Sequence, residues 1–70
     1  MSEVLAPMVG KILDIKVEVG DEVAEGDEIV TMEAMKMEIP VETPAAGVVK
    51  EIKVSQGDSV EAEAVLALIE

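Results

Sequence analysis

The sequence predicts an all-β domain, built as a small two-sheet sandwich or flattened β-barrel with quasi-twofold symmetry. Three observations carry that prediction. Apolar residues alternate with charged ones at period two, turn dipeptides fall where the alternation stops, and the two halves of the chain are copies of each other.

Taken in order, Leu13, Ile15, Val17 and Val19 interleave with Asp14, Lys16 and Glu18, giving a strand with one dry and one charged face. Ile29 to Met32 is a nearly continuous apolar run, the pattern of a central strand. Met37, Ile39 and Val41 alternate with Glu38, Pro40 and Glu42, and the proline marks an edge strand because it cannot donate to a ladder. Ile52 and Val54 repeat the alternation between Glu51, Lys53 and Ser55, and Val65 to Ile69 forms a second apolar run. Eighteen Val plus Ile add β-propensity, and no convincing amphipathic helix is visible. Gly20-Asp21, Gly26-Asp27 and Gly57-Asp58 are turn dipeptides, while Pro7 and Pro44 open segments leading to Gly10 and Gly47.

A shift of 37 positions superposes the halves: Pro7 falls on Pro44, Gly10 on Gly47, Ile15-Lys16-Val17 on Ile52-Lys53-Val54, and Gly20-Asp21 on Gly57-Asp58. Val23 then meets Val60 and Glu33 meets Glu70, nine identities in the 27 positions from Pro7 to Glu33. Two copies are too few for a solenoid, which takes about three or more. A duplicated β-unit buries its apolar face against its own copy instead.

Composition narrows the function classes. The 70 residues, 22 of them Val, Ile or Leu, make one domain over residues 1–70 with a core to bury. With no Cys and no His, there is no disulfide, thiolate nucleophile, Ser–His pair or ordinary zinc site, so neither catalytic nor metal-ligating residues are expected. Sixteen acidic residues against five Lys leave a net charge of -11, which argues against nucleic acid or an anionic membrane as partner. No apolar stretch approaches the roughly 18–20 residues of a membrane span. Met1-Ser2-Glu3 does not open a signal peptide, so direct membrane insertion is not expected and a cytoplasmic setting is. Asp21, Glu22, Glu25, Asp27 and Glu28 cluster, but without the alternating acidic loop that a calcium hand needs.

The copies are separated by Glu33-Ala34-Met35-Lys36-Met37-Glu38. A strand ending near Glu33 and another starting near Met37 make a hairpin with Met35-Lys36 at its tip. Tight two-residue hairpins want Gly or Asx, because their central residues take positive φ. A Met-Lys pair there is expected to be strained, and strain in a well-behaved fold points to function. Lys36 reads either as a solvated lysine between core methionines or as an acceptor for covalent attachment, with Met35 and Met37 as an apolar collar that an enzyme grips. A solvent-exposed ammonium is a poor nucleophile at neutral pH. Acylation would therefore need another protein, with this chain as substrate and not as catalyst.

Glu33-Ala34-Met35-Lys36-Met37 resembles the attachment motif of biotinyl domains, the biotin carboxyl carrier family. Ala6-Pro7-Met8 with Gly10, Gly20-Asp21-Glu22-Val23, Gly26-Asp27, and Pro44 followed by Gly47-Val48-Val49 also sit as in that family. The resemblance implies a flattened barrel of two four-stranded antiparallel sheets, with the lysine on a tight turn at one end and both termini at the other. It implies that biotin protein ligase joins biotin to Lys36, with Glu33, Ala34, Met35 and Met37 as the recognition motif. The carrier would then move a carboxyl group between biotin carboxylase and carboxyltransferase or decarboxylase components. Lipoyl domains share the fold but usually read Asp-Lys-Ala at the tip. The short stretch between Gly10 and Gly20 leaves no room for the protruding thumb of bacterial acetyl-CoA carboxylase carriers. The chain therefore resembles more closely the biotinyl domains of acyl-CoA and pyruvate carboxylases, transcarboxylase and biotin-dependent decarboxylases. A lipoyl-type carrier and an unmodified β interaction module are the alternatives. The intact mass of the chain coexpressed with the ligase separates them.

Overall fold

The computed structural model describes residues 2–70, leaving Met1 outside the described residues. Its eight strands are β1 (Ser2–Leu5), β2 (Gly10–Ile15), β3 (Glu22–Val23), β4 (Glu28–Ala34), β5 (Met37–Glu42), β6 (Gly47–Ile52), β7 (Ser59–Val60) and β8 (Val65–Ile69). They form two four-stranded antiparallel sheets ordered β1-β8-β6-β3 and β5-β4-β2-β7. The body is a flattened barrel of 30 × 19 × 18 Å.

The 37-residue shift carries β1 onto β5, β2 onto β6, β3 onto β7 and β4 onto β8, and it converts one strand order into the other. Each sheet therefore takes two strands from each copy. The copies interlock rather than stack as separate sheets, so neither half can bury its apolar residues without the other. The core is correspondingly paired: Val4 with Val41, Ile12 with Val49, Val23 with Val60, Ile29 with Leu66, Val30 with Ala67 and Met32 with Ile69, all buried. Thr43, the buried polar residue, satisfies its hydroxyl locally by donating to the Ala45 carbonyl at 2.7 Å and accepting from the Ala45 N–H at 3.2 Å.

Strict alternation fails at four matched places. The register of β2 against β4 slips between Ile12 and Asp14, and that of β6 against β8 between Val49 and Glu51. The extra residue, Leu13 or Lys50, turns aside, so Ile12 rather than Leu13 enters the core. The strand expected over Leu13 to Val19 thus starts earlier and leaves the ladder after Ile15; Val17 still packs against the core, but Val19 is exposed. Matching slips lie between Glu28 and Val30 and between Val4 and Leu5, the latter opposite Leu66. They explain why two successive side chains, Ile29-Val30 and Leu66-Ala67, are both buried in the central strands β4 and β8. Pro40 lies in β5, at the edge of its sheet as expected.

Three turns use one device. Gly20, Gly26 and Gly57 take positive φ, and the aspartate that follows accepts a hydrogen bond from the backbone N–H three residues before it: Asp21 from Glu18, Asp27 from Ala24 and Asp58 from Ser55, at 2.8–2.9 Å. The fourth turn, counterpart of Gly26-Asp27, has Glu63 at φ 67° followed by Ala64, with neither glycine nor aspartate.

Candidate functional site

β4 and β5 are joined by the tightest connection the chain can make. Ala34 pairs directly with Met37, leaving Met35 and Lys36 as the whole loop. Both are left-handed, at φ 53° and 65°, the geometry of a type I′ hairpin built without its usual residues. The expected strain is therefore present, and it is held in place by the ladder on either side. Glu38, Pro40 and Glu42 on the outer strand keep further strands from adding to this edge.

The motif residues divide by environment. Met35 is 84% and Met37 66% exposed, and Lys36 is exposed between them. Lys16, Lys50 and Lys53 pair with Asp14, Glu70 and Glu51 at 3.2, 3.0 and 2.9 Å, whereas among the described residues Lys36, like Lys11, has no carboxylate within ion-pair distance. Glu33 is exposed one step back, flanked across the sheet by Glu38 on one side and Lys11 on the other. Ala34 alone of the five is buried, so its side chain packs the base of the hairpin. The pseudo-twofold relation sends Glu33 onto Glu70, so the end that carries the tip is the counterpart of the end where residue 70 lies.

Gly10 supports this hairpin in a way that turn chemistry did not reveal. A Cβ on Gly10 would lie 2.5 Å from the Glu33 carbonyl oxygen and 2.6 Å from Met32 Cε. Only a residue without a side chain lets β2 approach the base of the tip so closely. The signal was available in the repeat: a Cβ on its copy, Gly47, would lie the same 2.5 Å from the Glu70 carbonyl oxygen.

Other surfaces carry less chemistry. A depression between β3 and β6, lined by Glu22, Val23, Ala24, Asp27, Ala46, Gly47 and Val48, includes none of the tip residues. Among the described residues no group of three or more acidic side chains is arranged to hold a metal ion, and no helix is long and apolar enough to cross a membrane.

The site's amine stands on a strained turn between two exposed thioether side chains. Residues 2–69 match the biotin/lipoyl family described as "Biotin-requiring enzyme". The chain is 42% identical over 67 residues to a "Biotinylated protein TB7.3 homolog" of Mycobacterium leprae, covering 96% of this chain and 94% of that one. It is 40% identical over 65 residues to mitochondrial pyruvate carboxylase of Mus musculus, covering 93% of this chain but 6% of the enzyme. A "Biotin/lipoyl attachment protein" of Bacillus subtilis is 42% identical over 53 residues, 76% of this chain and 73% of that one. Among solved structures, urea carboxylase of Kluyveromyces lactis superposes with a TM-score of 0.92 at 34% identity, covering 97% of this chain and 6% of that one.

Proposed function

The chain belongs to the biotin/lipoyl attachment family of biotin-requiring enzymes, and from that premise we propose that it is a non-catalytic carrier with biotin joined through an amide to Lys36. The observation that carries the reading is the tip: an amine without an ion-pair partner among the described residues, on two consecutive left-handed residues that no glycine or asparagine relieves. Such strain persists only where the surrounding structure over-determines it, and it clusters where a group must be held in one place.

Each residue then has a part. Lys36 offers its Nζ to biotin protein ligase, which activates the vitamin's carboxylate and takes the amine proton. Met35 and Met37 supply apolar surface for that enzyme to cover, and Glu33 marks the approach with a carboxylate. Ala34 and Gly10 set the height and angle of the tip from below. Once attached, biotin supplies the carboxyl-transfer chemistry, which belongs to the cofactor and to the carboxylase, carboxyltransferase or decarboxylase components it visits. The chain's contribution is to tether and display, which keeps the group at high local concentration for its partners.

Coexpression with a biotin protein ligase tests this. The intact mass should rise by one biotinyl group, and Lys36→Ala should remove the increment while leaving the circular dichroism of the fold unchanged. An unmodified wild-type chain would refute the proposal. A lipoyl increment instead would establish the second reading, which the Bacillus subtilis "Biotin/lipoyl attachment protein" accommodates equally and the Met-Lys-Met tip disfavours.

A further inference from the structure

Side-chain oxidation in this chain is confined to methionine, because it has no Cys, Trp, Tyr or His. Its methionines are placed unequally. Met32 is wholly buried in β4 and Met8 is partly covered, whereas Met35 and Met37 are 84% and 66% exposed on either side of Lys36. The other large apolar side chains open to solvent are Leu5, Val9, Val19 and Val48, hydrocarbons that peroxide leaves unchanged. Among the described residues, a dissolved oxidant therefore meets well-exposed thioether sulfur at the two positions that frame the amine.

We infer that Met35 and Met37 form a peroxide-sensitive modification site, at which conversion to methionine sulfoxide slows the loading of Lys36. The thioether lone pair attacks one oxygen of hydrogen peroxide; the S–O bond forms as the O–O bond breaks. The departing oxygen takes the remaining proton from the sulfur-bound one and leaves as water. Sulfur loses two electrons and the peroxide gains them. The product is a chiral, polar group with a strong acceptor oxygen where a soft apolar one stood. A surface shaped to cover apolar thioethers must then desolvate that oxygen without a donor, which slows attachment by roughly tenfold or more. The barrel itself is spared, since neither side chain belongs to the core.

The inference rests on the carrier reading, and the experiment separates the two. The unbiotinylated chain is treated with dilute hydrogen peroxide, mapped by peptide mass spectrometry, and offered to biotin protein ligase. Met35 and Met37 should oxidise well before Met32, and the attachment rate should fall about tenfold and recover after methionine sulfoxide reductase. The treated-to-untreated ratio, which cancels each variant's own basal rate, should approach one in a Met35→Leu/Met37→Leu double variant and stay low in Met8→Leu. An unchanged rate after oxidation of both tip methionines, or equal sensitivity in the double variant, overturns the switch. No attachment to the untreated chain overturns the carrier reading, and the switch with it.

Discussion

Met35 and Glu63 provide a matched pair for asking whether the strain at the tip serves display. Both are exposed non-glycine residues in the left-handed region, at φ 53° and 67°, and neither contributes to the core. A residue with a Cβ pays about 1–2 kcal/mol for that conformation. The extra freedom that glycine brings to the unfolded chain offsets about 0.4–1 kcal/mol of the relief. Met35→Gly and Glu63→Gly should therefore each stabilise the domain by roughly 0.5–1 kcal/mol. For a chain of this length that raises the thermal midpoint by about 2–8 °C, readable by circular dichroism. Their effects on biotin attachment should diverge. Met35→Gly removes half of the apolar collar and should lower kcat/KM of the ligase by on the order of tenfold, the worth of burying much of one such side chain. Glu63→Gly should leave that rate unchanged. If neither variant raises the midpoint, the strain argument is wrong; if Met35→Gly is loaded as fast as the wild type, the collar has no part in recognition.

Gly10→Ala and Gly47→Ala both drive a Cβ to 2.5 Å from a backbone carbonyl oxygen, so each should lower stability by about 1–3 kcal/mol in urea denaturation. Gly10→Ala should also slow biotin attachment in the folded fraction, because the carbonyl it displaces belongs to Glu33, whereas Gly47→Ala should not; equal rates would remove Gly10 from the support of the tip. Raising sodium chloride from about 0.01 to 0.5 M should raise the thermal midpoint by screening the net charge of -11. The three ion pairs it weakens are exposed and worth about 0–1 kcal/mol each, so a falling midpoint would show that they outweigh the repulsion.

Much of this molecule is legible in its sequence, and the exceptions have physical causes. The hairpin tip is read correctly because a two-residue loop leaves the chain no choice: apolar alternation must stop near Glu33 and resume near Met37. Pro40 at a sheet edge follows from its missing donor. β1, β3 and β7 escape notice because two to four residues are too few to show a period. The register slips at Leu13 and Ile29 defeat alternation, since one extra residue reverses which side chains face inward. The fourth turn is silent because Glu63 adopts by constraint the conformation that glycine adopts freely. Repetition reveals that the halves are alike but not that they interlock, because strand order is set by pairing across the copies rather than within either.

That interlocking bears directly on how the site works. The turn at Met35-Lys36 gains nothing from its own residues: two consecutive left-handed positions cost about 2–4 kcal/mol together. A chain of 70 residues has a total stability of about 4–10 kcal/mol. The tip therefore draws on a large share of what the barrel supplies, and it is fixed from outside by the Ala34–Met37 pairing, by buried Ala34, and by the close approach of Gly10. Each support belongs to a sheet that contains strands from both halves. Loosening either copy weakens the frame around the amine, so the duplication that makes so short a chain foldable is also what holds one lysine in a conformation that its neighbours in sequence would not choose.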